Sequence, residues 1–67
     1  MNKEFFNKVG FVKQVQPTFL EIFTMEGKYF MCKLSEIMYD KIKYLDKNTI
    51  VSVIYDKNKN VSKVSFL

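Results

Sequence analysis

The 67-residue sequence contains no arginine, histidine or tryptophan, one cysteine, one proline and two glycines. Each scarcity excludes something. Without histidine, and with a single thiol, the chain lacks the donors of a zinc site. Cys32 cannot close an intramolecular disulfide, which excludes a small secreted scaffold stapled by such bonds and points to a reducing, cytoplasmic setting. No apolar run approaches the roughly 18 residues of a membrane span, and Met1 to Val9 lacks the continuous apolar core of a signal peptide. Missing arginine removes the commonest bidentate reader of guanine, so any nucleic-acid binding is expected to have low sequence specificity. The acids are scattered singly, and no carboxylate pair or serine–base pair has a spacing that asks for catalysis. The expectation is a binding domain, not an enzyme, with no cofactor and no metal.

What is present is enough for a core. Apolar residues make up 48% of the chain and aromatic residues 16%, well outside the regime that keeps segments disordered. A chain of this length holds one domain, and a domain of about 60 residues buries only about 60% of its unfolded surface, so stability is expected to be modest. All eleven basic residues are lysine, against seven acids, for a formal charge of +4. That balance suits an anionic partner. It also suits a coding bias toward A and T, given the abundance of Lys, Asn, Ile, Tyr and Phe.

Residues 1–8 form a lead-in in which Phe5 and Phe6 suit a short helix or irregular chain. Val9 to Gln16 is β-rich, but Lys13 and Gln14 between Val12 and Val15 break the alternation, which predicts a bulge or strong bend. Pro17 and Thr18 mark a turn. From Phe19 to Met25 a period of two sets Leu20, Ile22 and Thr24 on a core face, with Phe19, Glu21, Phe23 and Met25 opposite. Glu26 and Gly27 make a tight connection to a third strand, Lys28 to Leu34. There Phe30, Cys32 and Leu34 oppose Tyr29, Met31 and Lys33. Ser35 followed by Glu36 signals a helix start, and Ile37, Met38, Ile42 and Leu45 form one stripe, so a helix is predicted from Ser35 to near Leu45. Thr49 to Tyr55, TIVSVIY, is the strongest strand and is expected to be central. Asp56 to Asn60 is a polar hairpin loop, and Val61 to Leu67 returns as the fifth strand.

This order of three strands, a helix and two strands resembles the OB-fold, over almost the whole chain. Gly10-Phe11-Val12-Lys13-Gln14-Val15 is similar to the opening G-x-V-x-x-V of S1-like and related small OB domains. Val51-Ser52-Val53-Ile54-Tyr55 is similar to their fourth strand. The resemblance implies an all-β domain with one helix: a five-stranded Greek-key barrel whose helix lies between strands three and four. SH3-like and Sm-like barrels place their helical segment elsewhere.

The resemblance further implies binding across strands two and three together with the one–two and four–five loops. On the face opposite the predicted core lie Phe19, Phe23 and Tyr29 as stacking platforms, with Met31 and Lys33 beside them. Lys13 and Lys28 flank this face, and Lys57 and Lys59 sit in the four–five loop. Bases stack on aromatic rings for about 1–3 kcal/mol each, and lysines neutralise phosphates, so single-stranded RNA or DNA is the leading expected partner. Against this stands Glu21, which repels phosphate unless Lys33 or Lys28 pairs with it. Phe19 and Phe23 equally suit packing beneath Phe5 and Phe6 or beneath a partner. The alternative is therefore a protein-interaction module or inhibitor, of a size also found in phages and mobile elements, using this face or a strand edge, with a homodimer as one form. Inward-pointing Cys32 is expected to behave as a small apolar side chain. Met25, Met31 and Met38 suit gap-filling.

Overall fold

The computed structural model describes residues 4–67. Five strands and one helix follow in the order β1 (Phe5–Gln16), β2 (Phe19–Thr24), β3 (Tyr29–Lys33), α1 (Glu36–Ile42), β4 (Ile50–Asp56) and β5 (Val61–Phe66). All ladders are antiparallel, and the strands lie side by side as β3-β2-β1-β4-β5. The sheet is not closed by a ladder. Its two edges meet at a single parallel bridge, Lys33 to Asn60, beside which the Lys33 N–H donates to the Lys59 carbonyl at 2.7 Å.

The long strand β1 serves two neighbours. Phe5–Phe11 pairs with β4, and Gly10–Gln16 pairs with β2. Register shifts between Val12 and Gln14, so Lys13 is an extra residue, the bulge that the broken alternation predicts. Its effect is on facing. Val12 and Val15 are three residues apart, and only the inserted residue lets both oppose core positions, Ile22 and Leu20 respectively.

The N-terminal lead-in expected over residues 1–8 is different in the structure. From Phe5 onward it is already strand, paired with β4; residues 1–3 lie outside the described residues. The reason is a sheet position that local sequence does not reveal. The Asn7 side-chain amide donates to Ser52 Oγ at 2.6 Å and to the Val53 carbonyl at 3.1 Å, and the Phe6 ring packs on Tyr55.

The core consists of Val12, Leu20, Ile22, Cys32, Val51 and Val53, each almost fully buried, with Leu34, Ile42, Tyr55 and Val61 around them. The alternation in β2 is reproduced, since Leu20, Ile22 and Thr24 are all buried. Buried Thr24 is satisfied: its Oγ1 accepts from the Lys28 N–H at 3.3 Å. Gly27 has φ +83°, the left-handed value that closes this hairpin turn.

Ser35 caps α1, its hydroxyl accepting from the Met38 N–H at 3.1 Å. The helix is shorter than the apolar stripe suggests. It ends at Ile42, and Leu45 reaches the core from a turn in which its N–H donates to the Ile42 carbonyl at 3.0 Å. A following turn carries Asn48 at φ 72°. β4 is interior, between β1 and β5, but the middle strand of the five is β1. Among the described residues no helix is long and apolar enough to cross a membrane.

Gly10 sits where β1 leaves one neighbour for the other. A Cβ there would collide with the Phe23 carbonyl oxygen and lie 2.9 Å from the Phe23 carbonyl carbon and the Thr24 Cα. Backbone cannot yield as a flexible side chain does. Gly10→Ala is expected to cost about 1–3 kcal/mol of unfolding free energy, the usual range for overpacking, as measured by urea denaturation.

Candidate nucleic-acid interface

In β2 and β3 the outward residues pair across the ladder as Phe19 with Lys33, Glu21 with Met31 and Phe23 with Tyr29. Directly opposed residues of an antiparallel pair share a face, so the six form one array. Tyr29 is 67% exposed and Met31 49%; Lys33 is exposed, and Phe19, Glu21 and Phe23 are half-buried. The Tyr29 ring meets Phe23 edge-on, with centroids 5.0 Å apart and planes at 64°. These two rings thus hold each other while leaving the tyrosine open to solvent.

The array extends further than the sequence suggests. Phe23 also opposes Phe11 on β1, and Phe11 opposes Ile50 on β4, so the row Ile50–Phe11–Phe23–Tyr29 crosses four strands. Phe11 and Ile50 were not among the expected site residues. A signal for Phe11 existed in the alternation of Val9 and Phe11 with Gly10 and Val12. Pairing with Phe23, which turns it into part of a row, is set by register and not by local pattern.

Glu21 lies at the centre of this face. Among the described residues no lysine pairs with it. Instead the Gln14 side-chain amide donates to Glu21 Oε1 at 3.0 Å, and the Gln16 amide donates to Gln14 Oε1 at 3.4 Å. A neutral donor fixes the carboxylate in place and leaves its charge.

The lysines divide into two groups. Lys33 belongs to the array, and exposed Lys28 directly precedes Tyr29. Lys13, expected to flank the face, is drawn off at the bulge, where its ammonium donates to Asn48 Oδ1 at 2.8 Å. Lys59, expected in the same site, lies 5.5 Å from the centroid of Phe30, a residue on the core side of β3. Lys57 is exposed in the β4–β5 turn. That turn is built on Asp56, whose Oδ1 accepts from the backbone N–H groups of Asn60 at 2.9 Å and Asn58 at 2.8 Å. The Asn60 amide leads in holding this carboxyl below the usual aspartate value.

Phe5 and Phe6 do not cover Phe19 and Phe23. They run along β4, and Phe6 joins a core-side aromatic ladder of Phe6, Tyr55 and Phe30, with centroids 5.7 and 4.8 Å apart. Lys8 approaches the same Phe30 ring at 5.8 Å. It also donates to Glu26 at 3.0 Å, which holds its ammonium pKa above the ordinary lysine value.

No protein family, curated protein or solved structure matches the chain. The candidate site therefore stands on its geometry. Among the described residues no three Cys, Asp or Glu side chains converge as metal ligands.

Cys32 belongs to the core, its thiol donating to the Leu20 carbonyl at 3.6 Å. Burial pushes its pKa up to about 12, with Lys59 acting more weakly in the opposite direction. The folded protein is expected to resist a thiol-specific reagent at about pH 8, where a free thiol near 8.5 reacts readily. One equivalent should react once denaturant is added. Rapid labelling of the native protein would show the thiol to be accessible.

Proposed function

We propose that the chain is a partly open OB-like barrel that binds single-stranded RNA or DNA, with low sequence specificity, across the outer face of β2 and β3. The barrel reading is supported by the helix between β3 and β4, the strand order and the parallel bridge between the sheet's two edges. The observation that carries the ligand reading is the Phe23–Tyr29 pair, held in register on an uncovered sheet face with Lys33 at its border. Tyr29 offers a ring to a base, Phe23 backs it, and Phe19 lies two residues along. Lys33 and Lys28 offer positive charge to the phosphates.

A second reading has its own support. The outward row continues through Phe11 to Ile50, so that four apolar side chains stand side by side across four strands. An apolar row of that length suits a protein partner better than a phosphate chain.

Fluorescence titration with oligo-dT and oligo-U at two salt concentrations separates the readings. Three to five phosphate contacts would give a log–log slope of roughly −2 to −3.5. Phe23→Ala and Tyr29→Ala should each weaken oligonucleotide binding, by about 1–3 kcal/mol if a base stacks there, while the protein stays folded. No binding at low salt would discard the nucleic-acid reading. A separate expectation concerns Glu21. Glu21→Gln removes the negative charge from the centre of the face and should tighten oligonucleotide binding by about twofold to fivefold, the worth of one exposed charge interaction.

A further inference from the structure

The edge strand β5 and the helix α1 enclose a groove of about 220 Å³ that is separate from the β2–β3 face. β5 has a ladder only with β4, and among the described residues no backbone group outside that ladder bonds to Val61–Phe66. One side of this strand therefore presents unpaired N–H and C=O groups, the template to which a further strand can add. The groove has apolar walls: Met38 and Leu45 line it from the helix side, and Phe66, 73% exposed, stands at its rim. It also has charge. Lys41 and Lys63 line it, and neither has a carboxylate within ion-pair distance among the described residues.

We propose that this groove binds an extended, acidic–apolar peptide segment of a partner protein, added as a sixth strand along the free edge of β5. Alternate side chains of such a segment point to opposite sides. One set enters the space between Met38, Leu45 and Phe66, and acidic residues of the other meet Lys41 and Lys63. Main-chain hydrogen bonds to β5 supply affinity, and the apolar and charged pockets supply selection. A second copy of this chain fits less well. Two β5 edges paired about a two-fold axis near the middle of the strand bring like-charged Lys63 side chains to neighbouring positions, which is destabilising.

The test uses the full chain, isotopically labelled, titrated by NMR with a capped eight-residue peptide of alternating Glu and Val. Amide shifts are expected along Val61–Phe66 and α1, with the β2–β3 face unchanged. Methylating alternate peptide nitrogens, so that the edge-facing amides cannot donate, should weaken binding about tenfold without touching the protein. Lys41→Glu combined with Lys63→Glu should weaken it by a similar factor, with the dispersion of the amide spectrum retained. The proposal is overturned by an absence of binding up to about 1 mM peptide. It is equally overturned if the methylated peptide binds as well as the parent, or if oligo-dT instead of peptide shifts the β5 amides. Protection of those amides by dimer formation in the free protein would assign the edge to a second copy and also overturn it.

Discussion

Everything in this fold depends on one strand being shared between two ladders. β1 gives its first half to β4 and its second half to β2, so it is the one strand with a ladder to both the β2–β3 and the β4–β5 hairpin, which otherwise meet at the Lys33–Asn60 bridge. To serve both, the strand must pass very close to the β2 backbone at Gly10 and must gain a residue at Lys13. The first requirement explains the absent side chain. The second returns Val15 to the core after the polar pair Lys13 and Gln14. Without the inserted residue the apolar residues that follow would lie on the wrong face, because side-chain facing in a strand reverses with a one-residue shift.

The same arrangement makes the outer face. Since Phe11 lies in the overlap, it has an opposed partner on each side, Phe23 and Ile50, and a row of apolar side chains runs across four strands. The core and this row use alternate residues of the same strands, which leaves a small domain apolar on both faces of part of its sheet. The charge of the outer face is uneven. Lys33 and Lys28 stand near the β3 end, the carboxylate of Glu21 is held by Gln14 in the middle, and Lys63 of β5 opposes Ile54 at the far side. The β5 edge groove differs in kind, combining a strand edge and two lysines that, among the described residues, have no partner, beside a helix.

Several features were legible in the sequence because their causes are local. The period of two in Phe19 to Thr24 reports burial on one side of a strand, Gly27 supplies a turn at positive φ, and Ser35 caps the helix that follows it. The outward set of Phe19, Phe23, Tyr29, Met31 and Lys33 came from the same alternation, and the hairpin register brings its members together. The contacts of Lys13 and Lys59 were not legible for the opposite reason. A long side chain goes where a partner lies, and their neighbours, Asn48 and the Phe30 ring, are remote in sequence. Phe5 to Lys8 resisted reading because its strand conformation is stabilised by β4, some 45 residues away.

The sequence by itself thus determined the number and type of elements, their order and the core face of each well-patterned strand. Those properties follow from steric preference and burial pattern, which act over a few residues. Tertiary structure alone decided the strand order, the sharing of β1, the four-strand apolar row and the edge left open beside α1. These depend on which hydrogen-bonding edge finds which partner, and on register, and such pairings are fixed by contacts between residues far apart in the chain.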